Sequence, residues 1–368
     1  MMASRRKFIA LMGGGIVLAA GAGAGGFVAT RTPKGALAPW GAAGGHAEPR
    51  MRALSYAILA PNPHNRQPWV AELTDADGLT IWRDKARNLP QTDPFDRQLT
   101  IGMGCFLELL RMAAAQDGHM LDMDLFPGGE DGPVAQIVFK PGGAPDPLFA
   151  HVMDRRTNRK GYEDRPLGSV AADEVGRFGS LISDPEDVAA LRALTWDAMA
   201  VEMRTKRTHM ESVDLMRFGK AEINANPDGI SIGGPLLDTL ILTGMVTRAG
   251  QADPESAEYA QTLDMLKTAM DATPAYAAIV TAGNTRGDQI AAGRDWLRLH
   301  LAATGQGLAM QPVSQALQEY PEMAELYAKV HGMLAKPGET VQMLGRIGYG
   351  PKVGPAPRWP LETRMRDA

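Results

Sequence analysis

Two arginines and a threonine alternate along one short basic run of this chain. Arg155, Thr157 and Arg159 are separated by single residues within the sequence DRRTNRK at 154–160. On an extended segment such alternate side chains project to one side. Two guanidinium groups with a hydroxyl between them suit a terminal phosphate, because arginine binds phosphate through two parallel hydrogen bonds. A solvated basic run is the plainer alternative.

A second candidate site is the loop at 60–69, with the sequence APNPHNRQPW. Its prolines predict a rigid, extended turn, and its amide side chains both donate and accept hydrogen bonds. That mixture suits the alternating donors and acceptors on the edge of a flavin pyrimidine ring, whereas an ordinary structured turn is the alternative. The candidate binding residues here are Asn62, His64, Asn65, Gln67 and Trp69.

The C-terminal tail presents a further arginine. A glycine-rich run at 345–351 is followed by the proline-stiffened sequence PAPRWP at 355–360, in which Arg358 is the only charged residue. Such a tail can add one more contact to a phosphate. The alternative is a terminal arm that packs across the surface.

Composition and missing signatures narrow the remaining chemistry. The 368 residues have a net charge of −4 and are 45% hydrophobic, which excludes a disordered chain, a polytopic membrane protein and nucleic-acid binding through bulk positive charge. The sequence has no G-x-S-x-G, P-loop or H-E-x-x-H pattern. Its seven histidines lack metal-ligand spacing, so no metal site is expected. With Cys105 as the single cysteine, no internal disulfide can form.

The elements that must position these residues occur twice. A strand-like run at 79–82 precedes a polar loop, an amphipathic helix at about 98–116 and a strand-like run at 120–126. A run at 277–280 precedes a polar loop, a helix at about 289–304 and a run at 307–310. This order predicts an α+β chain of two similar halves. The second half has an insertion at about 231–273, which is a candidate lid over a site or packed scaffolding.

The N-terminal region is typical of an export signal. Arg5 and Arg6 precede an uncharged apolar stretch at 8–29 whose many glycines keep it weakly hydrophobic, as in twin-arginine signals. An amphipathic or anchoring helix is the alternative, and Pro39 after a small-x-small site leaves retention as an anchor open. We assign 1–30 to the signal and the Pro-, Gly- and Ala-rich 31–49 to a linker.

Taken together, these motifs resemble the nitroreductase-like flavoprotein superfamily, and most strongly its Acg-type branch. The resemblance implies that Arg155, Thr157 and Arg159 hold the phosphate of FMN, with Arg358 completing that site. It implies that the 60–69 loop contacts the flavin ring, although Asn62 stands where serine is usual. A loop after Gly307 and Leu308 would lie beside flavin N5, and its residues are Gln311, Pro312, Val313 and Ser314.

The resemblance also gives the two halves a meaning, since members of the superfamily are homodimers whose two flavin sites are each built from both subunits. Here the halves would be 50–147 and 148–368, forming an internal pseudo-dimer and a monomeric protein. Arg50 and Arg52 lack a hydroxyl between them, and the counterpart loop at 224–229 lacks Gln-Pro-Trp. We therefore expect one FMN site, at the interface of the halves.

The implied function is an FMN-dependent oxidoreductase that reduces quinones, nitroaromatics or similar flat acceptors. The catalytic agent would be the flavin itself, with a small-molecule electron donor and acceptor as partners. Export through the twin-arginine machinery to the periplasm would separate the protein from NAD(P)H, the usual donor of the superfamily. The Acg-type branch has also been associated with flavin binding or storage, so a flavin-sequestering protein with little or no turnover is the alternative.

Overall fold

The first half of the molecule is a four-stranded antiparallel sheet with its helices. The computed structural model describes residues 30–366, so the export signal expected at the N-terminus lies outside the described residues. Strand order is β1-β2-β4-β3. The elements of this half are α1 (Lys34–Ala42), α2 (Pro49–Ala57), β1 (Trp69–Thr74), β2 (Gly78–Arg83), α3 (Arg97–Gln116), β3 (His119–Leu125) and β4 (Ala135–Pro141).

The second half repeats this sheet and adds further helices. Its main sheet has the order β5-β8-β10-β9, and a parallel pair, β6 and β7, forms a small second sheet. The elements are α4 (Ser169–Gly176), β5 (Ser180–Ile182), α5 (Pro185–Arg204), α6 (Lys206–Asp214), β6 (Met216–Phe218), α7 (Gly219–Ala225), β7 (Ile230–Ile232), α8 (Pro235–Leu242), α9 (Arg248–Ala252), α10 (Ala257–Asp271), β8 (Ala275–Thr281), α11 (Arg286–Gly305), β9 (Ala309–Pro312), α12 (Ala324–Leu334) and β10 (Thr340–Gly348).

The two main sheets share one topology, which confirms the α+β fold class with two similar halves. Replacing β1, β2, β3 and β4 by β5, β8, β9 and β10 converts one strand order into the other, and every pairing within both sheets is antiparallel. Each sheet also has a 20-residue helix between its corresponding strands, α3 in the first half and α11 in the second.

The central helices begin at local capping signals. At the start of α3, the Asp93 carboxylate accepts the backbone N–H groups of Gln98 and Leu99 at 3.0 and 2.8 Å. At the start of α11, Thr285 and Asp288 form a capping box. Both caps satisfy donors that a helix N-terminus leaves without partners, which fixes where each helix begins.

The halves meet where α3 crosses α11, and glycine makes the crossing possible. Gly104 and Gly293 are each the eighth residue of their helix. A Cβ at Gly104 would overlap the carbonyl oxygen of Ile290, and a Cβ at Gly293 would overlap that of Ile101. Ile101 and Ile290 are both fifth in their helices, so the contact is symmetric. The main apolar core then includes residues of both halves, among them Phe106 and Trp296.

The region expected to be a linker is partly folded. Residues Lys34–Ala42 form α1, with Trp40 only 7% exposed and joined to the core. The Trp40 indole N–H donates to the Ala356 carbonyl at 2.8 Å, so this helix packs against the C-terminal tail. Its Pro-, Gly- and Ala-rich composition indicated a linker. The contact that holds the helix in place joins residues distant in sequence, so the local composition did not predict it. Among residues 30–366, no helix combines the length and apolarity that crossing a bilayer requires.

Candidate functional site

The basic run at 154–160 lies along an edge of the second sheet. Thr157 forms an isolated parallel bridge with Met310, and the Asn158 N–H donates to the Met310 carbonyl at 2.9 Å. This bridge connects two segments predicted separately, because Met310 immediately precedes Gln311. Along the run Arg155 is buried while Arg159 is exposed. The first arginine therefore points into the protein and the second reaches its surface.

Arg155 meets the C-terminal arginine inside the molecule. Arg155 Nη2 donates to the Leu59 carbonyl at 3.1 Å, and Arg358 Nη2 donates to the same oxygen at 3.0 Å. The exposed fraction is 4% for Arg155 and 2% for Arg358. Arg358 also donates to the Ala60 carbonyl and, through Nη1, to Asn65 Oδ1 at 2.6 Å. The structure thus brings together three segments that are far apart in sequence.

The two guanidinium groups have no counter-charge beside them in the part of the chain that the structure describes. Within residues 30–366, neither one has a carboxylate within 4 Å. Burial, followed by the positive charges of Arg155 and Arg156, lowers the pKa of Arg358 to about 9. Burial also lowers the pKa of Arg155 to about 10. Arg358 Nε is buried without a hydrogen-bond partner among the described residues. Because buried cations are normally paired, this arrangement suits an anion.

The loop at 60–69 is strained where it meets the arginines. His64, Asn65 and Gln67 have positive φ angles of 46°, 51° and 50°, a region that non-glycine residues seldom adopt. Asn62 Oδ1 accepts the Gln67 N–H at 2.7 Å, and Asn62 Nδ2 donates to the Ala60 carbonyl at 3.1 Å. The Asn62 side chain therefore closes this turn.

Gln67 and Trp69 make protein contacts in this structure. Gln67 is fully buried, its Nε2 donates to the Asn65 and Pro227 carbonyls, and its Oε1 accepts the Trp359 N–H at 2.9 Å. A direct contact from Gln67 to a ligand would require an exchange of these bonds. Trp69 is 1% exposed and stacks on Phe106 with ring centroids 4.9 Å apart, so it belongs to the core beneath the loop.

His64 stands at the same site with a neutral ring. Burial, and then the charges of Arg159 and Arg66, lower the pKa of His64 to about 4. Its Nδ1 atom is buried and has no hydrogen-bond partner among the described residues. A neutral imidazole next to arginines can donate to or accept from a ligand without adding charge.

The segment Gln311–Ser314 comprises the last two residues of β9 and the two residues that follow the strand. The Val313 N–H donates to the Leu344 carbonyl at 2.9 Å, which leaves the next residue, Ser314, as the candidate backbone donor. The Ser314 hydroxyl lies 3.3 Å from Gln98 Oε1 on α3, so this residue sits where the halves meet. Pro312 is the last residue of β9 and is half-buried.

Arg346 links the site to the insertion, and the sequence analysis missed it. This fully buried arginine donates from Nε to Gln311 Oε1 at 2.7 Å and from Nη2 to the Lys160 carbonyl at 2.6 Å. Its Nη1 donates to the Ala269 carbonyl on α10. The only signal in the sequence was an arginine inside an apolar strand, which predicts a buried partner but does not say which.

A cavity of about 390 Å³ opens between the residues that follow the basic run, Tyr162 to Asp164, and the end of the insertion. Tyr162 lies on one side of it, and Asp271 and Ala272 lie at the end of α10. Arg192, from α5, completes the wall and donates to the Thr273 carbonyl at 2.7 Å. Among residues 30–366, no three His, Cys, Asp or Glu side chains are grouped as metal ligands.

The fold and the site define an internally duplicated α+β protein with a buried two-arginine site suited to an anion. The chain is 25% identical over 344 residues to the Mycobacterium tuberculosis (strain H37Rv) protein named "Putative NAD(P)H nitroreductase Rv3131". That alignment covers 86% of this chain and 93% of the relative. The protein named "Putative NAD(P)H nitroreductase acg", from the same strain, is 33% identical over 90 residues, or 24% of this chain and 27% of the relative.

Other comparisons add less. No family model matches the sequence. A solved nitroreductase-like family protein from Bacillus cereus is 12% identical and covers 60% of this chain and 95% of its own, with a TM-score of 0.32. Both relatives are named as NAD(P)H nitroreductases, and the chain is similar to the first of them along most of its length.

Proposed function

We propose that this protein binds one FMN per chain and acts as an oxidoreductase of nitroreductase type. One observation carries the proposal, namely that buried Arg155 and Arg358 share the Leu59 carbonyl and have no carboxylate partner among residues 30–366. An anionic group bound there would relieve the cost of two uncompensated buried cations. A phosphate suits them because it accepts several charge-assisted hydrogen bonds at once.

The residues around the two arginines fit the phosphate of FMN. Within the described part of the chain, Arg358 Nε is a donor without a partner, and His64 Nδ1 is a ring nitrogen without one. Thr157, held beside Met310, and exposed Arg159 would meet the outer side of the group. Asn65 would act indirectly, because its Oδ1 accepts from Arg358 and so orients the guanidinium.

The ring end would be formed by Asn62, Ser314 and their neighbours. The Ser314 N–H is the candidate donor to flavin N5, while Asn62 shapes the strained turn. Bound FMN would supply hydride or electron transfer to flat acceptors such as quinones and nitroaromatics. The relatives are named as NAD(P)H nitroreductases, which supports a reduced nicotinamide as one donor to test.

A single FMN site is supported by the ion pairs of the two first-half arginines, Arg50 and Arg52. Arg50 pairs with Glu48 at 2.7 Å, and Arg52 pairs with Asp117 at 2.8 Å. Both also donate to backbone carbonyls. Since these cations already have carboxylate partners, they offer no uncompensated charge to a second phosphate.

The alternative function, flavin sequestration with little turnover, is favoured by the hydrogen bonds of Arg346. Arg346 ties α10 of the insertion to Gln311 and to the backbone of Lys160, on both sides of the proposed site. An insertion fastened in this way would serve as a fixed cover. A store needs slow release, whereas a reductase needs its acceptor to reach the flavin.

Two measurements test the proposal and separate its alternatives. Purified full-length protein should be yellow and release one FMN per chain. Absence of flavin binding would overturn the proposal, and two FMN per chain would overturn the single site. Anaerobic stopped-flow with NADH, NADPH and a quinol should show reduction of the bound flavin followed by reoxidation by a quinone. If none of these donors reduces it, the protein is a store.

We propose further that the protein is exported by the twin-arginine machinery to the periplasm. Arg5 and Arg6, followed by the uncharged stretch at 8–29, support this. Replacing both arginines by lysine should keep the protein in the cytoplasm in cell fractionation. Unchanged export of the double variant would reject that route.

A further inference from the structure

One surface of the insertion carries no charge. Residues 229–247 lie between Asp228 and Arg248 and include one charged residue, Asp238. Asp238 is 3% exposed, and its Oδ1 accepts the Gly234 N–H at 3.2 Å, so its charge points inward. Everything that this stretch presents to its surroundings is therefore neutral, although protein surfaces normally mix charges.

The exposed side chains of α8 and the turn after it are mainly apolar. Leu236 is 57% exposed, Leu242 is 67% exposed and Met245 is 42% exposed. At 100° per residue, Leu236, Thr239 and Leu242 lie on one face of the helix. The Thr239 hydroxyl donates a hydrogen bond to the Pro235 carbonyl at 2.8 Å. The one hydroxyl on this face therefore does not require water as its acceptor. We call Leu236, Thr239, Leu242 and Met245 the apolar face.

The apolar face lies close to the point where the N-terminal segment joins the fold. Helix α7 lies between the apolar face and the N-terminal end of the described chain. From α7, Lys220 Nζ donates to the Thr30 carbonyl at 2.9 Å, and Asn224 Oδ1 accepts the Ala36 N–H at 3.0 Å. Ile223 on α7 instead points to Gly233, just before α8. Helices in contact lie about 8–10 Å apart, so two such spacings place α8 within ~20 Å of α1.

The sequence that precedes Thr30 indicates what covers this face. Residues 8–29 contain no charged residue, and this stretch has the length that crossing a bilayer core requires. Lys34 and Lys220 flank the junction, and neither has a carboxylate within 4 Å in the described part of the chain. Lysines at such a position suit anionic lipid headgroups.

We propose that the apolar face rests on an anionic lipid bilayer, next to the point where the N-terminal segment enters it. Helix α8 has eight residues and is about 12 Å long, too short to cross the bilayer, so it would lie in the interface. Leucine and methionine side chains would enter the headgroup boundary while Lys34 and Lys220 meet the lipid phosphates. The proposal does not depend on the bound cofactor.

The test uses a single fluorescent label on the full-length protein. Because Cys105 is buried, Leu242→Cys provides one reactive thiol for an environment-sensitive maleimide dye. Vesicles of phosphatidylcholine and phosphatidylglycerol should shift the emission of the dye to the blue, and acyl-chain nitroxide lipids should quench it. Val138→Cys, 45% exposed on β4 of the other half, is the matched control and should show neither effect.

The other outcomes overturn the proposal. An unchanged spectrum at position 242 in the presence of vesicles means that the face does not touch lipid. A spectrum already shifted without vesicles means that protein covers the face. In that case a signal independent of dilution identifies the chain's own N-terminal segment, and a signal lost on dilution identifies a second copy.

A second set of variants separates the face from the N-terminal segment. With the dye at Met245→Cys, adding Leu236→Glu and Leu242→Glu should abolish the blue shift while the protein still sediments with vesicles. Lys220→Gln should weaken binding roughly five-fold, as expected for about 1 kcal/mol per lysine at an anionic surface. A blue shift that survives both glutamates would contradict the proposal. Circular dichroism verifies that each variant is folded.

Discussion

Arg155 and Arg358, 203 positions apart in the chain, donate to the same carbonyl oxygen, that of Leu59, at 3.1 and 3.0 Å. Two buried cations converge there, and no carboxylate of the described residues neutralises them. This relationship joins the loop of the first half to the phosphate segment and the tail of the second, and it generates the first prediction.

Replacing Arg358 by methionine should weaken FMN binding by roughly 10- to 150-fold, which corresponds to the loss of about 1.5–3 kcal/mol for a charge-assisted hydrogen bond. Fluorescence titration of the apoprotein measures the affinity. Lys160→Met is the matched control, because it removes an exposed positive charge from the same basic run and should leave the affinity nearly unchanged. Equal affinity for Arg358→Met and wild type would assign Arg358 a purely structural role.

Acid should destabilise the apoprotein partly through His64. The pKa of His64 is about 4 in the fold and about 6.5 in an unfolded chain, so between these values the unfolded state binds more protons. The contribution of neutral His64 to the free energy of unfolding is fully present above pH 6.5. It is lost as the pH drops towards 4, which lowers stability by up to about 3 kcal/mol.

His64→Asn should remove that part of the loss, and asparagine tolerates the positive φ at this position. Urea unfolding of both proteins at pH 7.5 and pH 5 gives the comparison. An identical fall in stability for wild type and variant would show that His64 is not responsible.

The crossing of α3 and α11 should not tolerate a side chain. Gly104→Ala places a Cβ against the Ile290 carbonyl, where backbone must move, and should cost about 3 kcal/mol of unfolding free energy. Gly287→Ala, also in α11, meets nothing closer than Thr285 Oγ1 at 3.7 Å and should stabilise by about 0.5 kcal/mol. Thermal unfolding distinguishes them, and similar melting temperatures would refute the close packing of the halves.

Asp228 should hold the loops of the two halves together. Its carboxylate pairs with Arg66, Arg87 and Arg217 at 3.4, 2.9 and 2.9 Å and is 8% exposed. Asp228→Asn leaves three arginines facing one another and should cost about 3 kcal/mol, with partial rescue by salt.

The control for Asp228 is Asp271→Asn, which breaks the exposed pair with Lys267 and should change stability by no more than about 0.5 kcal/mol. Denaturant titration at low and high salt provides both numbers. A small, salt-independent effect of Asp228→Asn would exclude the network as a joint between the loops.

The sequence by itself determined the repeated elements and the candidate residues. Helix 98–116 was predicted from apolar spacing and occurs as Arg97–Gln116, and helix 289–304 occurs as Arg286–Gly305. Apolar periodicity and helix-capping residues are local features of the chain, so they can be recognised from the sequence without a structure. The alternation of Arg155, Thr157 and Arg159 was equally visible, because side-chain type and spacing are properties of the chain.

Only the tertiary structure decided which of these residues meet. It turned Arg155 inward beside Arg358 while leaving Arg159 at the surface, and it engaged both polar side-chain atoms of Gln67 with protein. It also folded α1 from residues whose composition suggested a linker, because Trp40 finds its partner at Ala356. Burial and pairing depend on contacts between residues hundreds of positions apart, and local sequence does not encode which distant segment supplies them.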